Sequence, residues 1–167
     1  MNTAELLEDG YERVRESLAQ VASGLSAEQL AHRPGGTGNS IGWLLWHLTR
    51  VQDDHVADVA GTEQVYTAQG FARRFDLPFD DKDHGYGHTS EQVAQVRVAD
   101  PQLLVDYYEA VHAHTLQYVA GLKDADLDRI VDEAWDPPVT LGVRLISVMD
   151  DDAQHVGQAA YIRGLLT

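Results

Sequence analysis

Three consecutive acids and a histidine, within Asp150-Asp151-Asp152-Ala153-Gln154-His155, interrupt an otherwise apolar pattern that runs from Leu141 to Leu166. If that stretch is helical, Asp151 and Asp152 precede His155 by four and three residues, so either carboxylate stands one turn from the imidazole on the same side. Such a pair forms two corners of a metal site, and the third must come from elsewhere. Between Ile41 and Ala60 the apolar stripe of Ile41, Leu44, Leu45, Leu48, Val51 and Val59 carries His55 near its centre and His47 at its edge. Two imidazoles and one carboxylate leave coordination positions open for water or substrate, which catalysis requires. The set suits Zn²⁺, Fe²⁺ or Ni²⁺ and does not choose among them. A plainer reading stands beside this one: a histidine on an apolar stripe is commonly a boundary side chain tied to a carbonyl, and acids commonly face solvent.

Other histidines offer less. His84-Gly85-Tyr86-Gly87-His88 sits in a glycine-rich stretch, where a metal would be poorly fixed, and this segment either covers a pocket or simply packs. His112 and His114 are two apart and point in different directions on a helix. Trp43 and Trp46 flank His47, where core packing accounts for both.

The elements that must position these residues are helical. The first helix is expected from Ala4 to about Val21, with Leu6, Leu7, Val14, Leu18 and Val21 on its apolar side. Ser26-Ala27-Glu28-Gln29 fits a capping box for a short turn that stops near Pro34. Asn39 or Ser40 caps a second helix, Ile41 to Ala60, which Gly61 ends. Thr89 to Gln92 is another capping box, and Asp100-Pro101 starts a third long helix that ends by Gly121. Lys123 to Ile130 reads as a short acidic turn, and Asp136-Pro137-Pro138 breaks the chain before Thr140 caps the last helix. No convincing alternating strand is present. The expected fold is an all-α four-helix bundle, with residues 1–167 as one domain and a connection of about forty residues crossing over between helices two and three. Asp152 and Arg163 fall on the apolar stripe of the last helix, so that stripe either meets a polar cavity, supplies partners for them, or is partly exposed there.

Composition removes several functions. A net charge of −15 leaves no clustered cations for a phosphate backbone, so no nucleic-acid partner is expected. No basic amphipathic helix or spanning apolar run suggests a membrane. The start, Met1-Asn2-Thr3-Ala4-Glu5, lacks signal-peptide character, and a cytoplasmic location is expected. With no cysteine, a disulfide, a thiolate metal site and a protein thiol nucleophile are all excluded.

Several motifs together resemble the DinB-like superfamily, which includes mycothiol-dependent thiol-transferase branches. They are Leu25-Ser26-Ala27-Glu28-Gln29-Leu30 with Arg33-Pro34, then Asn39-Ser40-Ile41-Gly42-Trp43-Leu44-Leu45-Trp46-His47-Leu48. Leu141-Gly142-Val143-Arg144-Leu145 and Asp151-Asp152-Ala153-Gln154-His155-Val156-Gly157-Gln158 complete them. The resemblance implies a four-helix bundle with a metal triad of His47, Asp151 and His155. At the middle position the family has His or Glu, so Asp151 departs from it by one methylene against glutamate, and Asp152 is the rival ligand.

The function implied is that of a divalent-metal-dependent thiol S-transferase. A low-molecular-weight thiol such as mycothiol would bind the open zinc, nickel or iron site and attack an electrophile. His55 is the candidate catalytic residue, to orient substrate or relay a proton, and His84, Tyr86 and His88 would border the pocket as a lid. The alternatives are a non-catalytic metal-binding or stress-response protein acting as a homodimer, and a degenerate bundle in which Asp151 no longer holds metal.

Overall fold

The computed structural model describes residues 1–166. The first helix, α1 (Thr3–Ala22), begins at Asn2, whose side chain and that of Glu5 exchange hydrogen bonds with each other's backbone N–H. The short α2 (Ala27–Ala31) opens on the Ser26/Gln29 capping box. Of the two residues expected to cap α3 (Ile41–Ala60) it is Ser40 that does so, through the Trp43 N–H, and Gly61 closes the helix in the left-handed conformation at φ 68°. Three short helices follow, α4 (Val65–Ala68), α5 (Phe71–Phe75) and α6 (Ser90–Gln95), before α7 (Pro101–Val119) and α8 (Leu141–Leu166). The Thr140 hydroxyl accepts from the Val143 N–H at 3.3 Å, as a cap should.

Pairs of side chains fix the direction of each long helix. Tyr11 bonds the Leu145 carbonyl and Arg163 bonds the Val21 carbonyl, so α1 and α8 run parallel. Arg15 meets Glu109 and Glu12 meets His112, so α1 and α7 are antiparallel. Arg50 meets Tyr107 and Tyr118 meets the Val59 carbonyl, which makes α3 and α7 parallel. Two parallel helices of about 30 Å cannot be joined by a tight turn, because the chain must first return the length of the bundle. Residues 61–100 make that return, and α4 and α5 pack against α7 on the way.

The bundle closes as a ring in which α3 and α1 each contact both α7 and α8. Its core holds Leu18, Leu44, Leu45, Leu48, Leu104, Tyr108, Val111 and Ala159, all essentially inaccessible to solvent. The expectation of no strand needs one correction. Ile130–Asp132 (β1) and Val139–Thr140 (β2) pair antiparallel in the α7–α8 connection, where Asp136-Pro137-Pro138 turns the chain back on itself. Strands this short leave no room for an apolar alternation to show in the sequence. Among the described residues no helix is long and apolar enough to cross a membrane.

Candidate metal centre

The helices α3 and α8 run antiparallel, and their facing sides bring His47, Asp151 and His155 together. One candidate donor atom from each lies within 4.8 Å of the others. His155 Nε2 stands 3.5 Å from Asp151 Oδ1, and the His47 and His155 rings meet edge to face with centroids 4.9 Å apart. Trp43 packs beneath the pair, stacked on His47 at 4.5 Å and edge-on to His155 at 6.3 Å.

Each imidazole has one nitrogen committed, which leaves the other available. A carbonyl can only accept, so the hydrogen bond between His47 Nδ1 and the His84 carbonyl places the proton on Nδ1 and a lone pair on Nε2. His155 Nδ1 is paired with Gln158 Oε1 at 3.1 Å, which again presents Nε2. Outer partners of this kind fix the tautomer and ring orientation of metal-binding histidines. Asp151 Oδ2 is buried and has no hydrogen-bond partner among the described residues. An orphaned carboxylate oxygen costs free energy unless something fills the gap, and a cation held by two imidazoles is such a partner.

The protonation states of His47 and Asp151 suit metal ligation, whereas His155 is held toward its charged form by Asp151, a proton that a bound cation would displace. Burial drives the His47 pKa down to about 4, so at neutral pH the ring is the uncharged ligand form. Burial also pushes Asp151 upward, but the hydrogen bond and charge of His155 outweigh it and hold the carboxylate below its ordinary range. The same contact with Asp151 raises His155 against the opposing effect of burial.

The crossover closes over the site at Gly85. Its φ of +89° suits glycine, and a Cβ there would come within 2.9 Å of His47 Nδ1 and 3.0 Å of the Trp46 ring. The loop is clamped from below by Arg50, which is wholly buried. It donates to the Asp81 and Asp83 carbonyls, to Gln64 Oε1 and to the Tyr107 hydroxyl. Asp53 beside it accepts from the Val65 and Tyr66 N–H groups and from Tyr107. His88 takes no place in the site: it accepts from Trp43 Nε1, contacts Asp83 and packs on Phe79.

A cavity of about 400 Å³ opens beside the triad, lined by His47, Asp151, His55, His84, Arg144 and Trp135 among others. Tyr86 also borders it, so two of the three residues expected to form a lid do reach the pocket. His55 lies on the wall with Nδ1 3.0 Å from Arg144 Nη1, and burial followed by the Arg144 charge lowers its pKa.

Asp152, the rival ligand, faces the other way. It is wholly buried, and the charges that act on it come from Asp151 while its own charge acts on Tyr11 and Tyr108 of α1 and α7. One residue along a helix turns a side chain by about 100°, enough to carry it from the groove into the bundle. Arg163 meets the carbonyls of Val21 and Ser23 at the end of α1. Sequence reasoning passed over Arg50 and Trp135, and it met Arg144 and Gln158 only within the family motifs, with no role assigned to either. Arg144 and His155 lie seven residues before and four after Asp151, a helical spacing that reveals a shared face. Nothing local marks Trp135, which reaches the cavity only through the hairpin.

The mycothiol-S-transferase family model matches residues 6–167. A solved structure described as a conserved protein from Enterococcus faecalis shares 32% identity, with 98% of this chain and 96% of that one covered and a TM-score of 0.91. No curated protein matches. A match over nearly the whole length, on a bundle whose facing helices carry this triad, places the chain in the mycothiol S-transferase family.

Proposed function

We propose that the chain is a metal-dependent thiol S-transferase in which His47, Asp151 and His155 hold one divalent cation. The observation that carries the reading is the convergence of three donors, one of them a carboxylate with an orphaned oxygen, beside an open cavity. A cation bound there would lower the pKa of a substrate thiol, so that the sulfur attacks an electrophile as thiolate. The chain has no cysteine, so the nucleophilic sulfur must belong to the substrate. Mycothiol, from the family's name, is the proposed thiol.

The protein's own groups orient and exclude. The His84 carbonyl and Gln158 hold the two imidazoles, Trp43 and the Gly85 backbone seal the inner side, and His55 faces the reacting space from the wall. Despite the shorter reach of aspartate at position 151, its carboxylate offers an oxygen within 4.8 Å of donor atoms of both His47 and His155, which supports a working ligand over a degenerate site.

Metal analysis of protein purified without a histidine tag tests this directly. Stoichiometric transition metal, or a rise in Tm on adding Zn²⁺ or Ni²⁺, is expected. Conjugation of monochlorobimane with mycothiol should then require the metal. Absence of both metal and Tm shift removes the basis of the reading.

A further inference from the structure

Away from the acceptors of His47 and Asp151 at its triad side, the wall of the cavity formed by His55, His84 and Arg144 presents hydrogen-bond donors. Arg144 can only donate, and its Nη1 lies 3.0 Å from His55 Nδ1, nearer than Asp54 Oδ2 at 4.0 Å. The Nδ1 lone pair of His55 is therefore occupied, and the ring proton sits on Nε2. No described protein atom bonds Nε2 and it is not sealed from solvent, so on a residue that lines the cavity its N–H is open to a ligand. His84 repeats the arrangement, since the Tyr86 N–H points at its Nδ1 at 3.3 Å and its free edge borders the same space. Arg144 itself is anchored by Asp132 at 2.8 Å, which uses one edge of a guanidinium that carries five N–H groups.

Apart from Ser147 and the triad residues His47 and Asp151, the remaining lining is aliphatic or aromatic. Val51 and Val148 line the floor, while Trp135, two-thirds exposed, and Tyr86 stand at the rim. Aromatic faces at a rim, with donors gathered deeper, suit a planar ligand that carries an oxygen acceptor at one end.

We propose that this cavity is the electrophile subsite, and that it selects a planar electrophile bearing a carboxylate, held by Arg144 and by the Nε2–H of His55 while Trp135 stacks on the ring. The assignment to an electrophile rests on the transferase reading; the carboxylate selectivity does not. His55 is thus a positioning donor for the substrate, not a proton acceptor.

The test is equilibrium binding by calorimetry on the full chain after EDTA treatment, where no metal can capture the carboxylate. The probes are 4-chloro-3-nitrobenzoate and 1-chloro-2-nitrobenzene, which differ only in the carboxylate. The benzoate should bind at least about tenfold more tightly, the value of one good charge-assisted hydrogen bond. His55→Phe and Arg144→Gln should each remove most of that preference, whereas Trp135→Ala should weaken both probes alike. Arg144→Gln also loosens β1, so far-UV circular dichroism accompanies it, and His55→Phe alone decides the outcome if that variant misfolds. Equal affinity for the two probes overturns the proposal. So does a preference that survives His55→Phe but disappears in His47→Ala, since the carboxylate would then sit at the triad. Failure here leaves the metal analysis standing, and absence of metal leaves this binding result standing.

Discussion

Two polar clusters grow from α3 within a single turn of each other, and they are built on opposite principles. Around Arg50 and Asp53 the donors of the guanidinium meet carbonyls and a hydroxyl, and the carboxylate accepts three hydrogen bonds. Around His47 the outer nitrogens are satisfied but the inner faces of three ligating groups point at one another, with an Asp151 oxygen left bare. A closed network fixes structure, because every buried charge already has its partner. An open one beside a cavity retains unspent bonding capacity, and that distinguishes a site from a brace. The two are coupled, since Arg50 holds the carbonyls of Asp81 and Asp83 and the next residue, His84, supplies the carbonyl that orients His47.

The contrast between brace and site breaks most sharply at the ligands. His47→Ala should abolish stoichiometric metal binding while the helical circular dichroism spectrum stays that of the wild type. Loss of one of three protein ligands exceeds the roughly 10–100-fold cost of losing an outer-shell partner. Metal analysis after dialysis reads the result, and a variant that retains full metal would show that His47 is part of the packing only.

Arg50→Met should act on the other cluster. It leaves Asp53 buried without its cation, and such a loss costs about 3–5 kcal/mol, visible as a fall in the denaturant midpoint of the metal-free protein. Metal affinity should fall as well, because the His84 carbonyl is no longer fixed. Gln158→Leu is the converse and smaller change: roughly a 10–100-fold loss of metal affinity, with the metal-free midpoint within about 0.5 kcal/mol of wild type. If Arg50→Met left metal affinity untouched, the coupling between brace and site would be disproved.

The helices and His155 were legible in the sequence because they rest on local chemistry, whereas the choice of His47 over His55 came from the family resemblance. Capping residues at Ser26, Ser40, Thr89, Asp100 and Thr140, and the period of the apolar stripe, needed no tertiary information. What was hidden came from distance along the chain. Gly85 meets His47 only because the crossover folds back, and Arg50 serves the loop through residues more than thirty positions away. The choice between Asp151 and Asp152 turned on the family's spacing. The stripe alone pointed to Asp152, and Asp152 is indeed the more deeply buried, but it is buried on the wrong side for the groove.

That neighbouring acid supplies the finest contrast, since it too lacks partners: neither oxygen of Asp152 has a hydrogen bond among the described residues, and no cavity adjoining the triad includes it. Burial, and then the charge of Asp151, hold its pKa well above the ordinary carboxylate value. The sign follows from linkage. With the folded pKa raised above the unfolded one, the folded state binds more protons than the unfolded state between the two values, so stability falls as pH rises from about 4 through the folded pKa. Asp152→Asn removes that titration while keeping the shape. In metal-free protein the variant should therefore be more stable than wild type near neutral pH, by roughly 1–2 kcal/mol, with the difference shrinking toward pH 4. Asp151→Asn should instead lose metal. A gain from Asp152→Asn that did not diminish at low pH would mean that the effect comes from packing, and that Asp152 carries no buried charge to relieve.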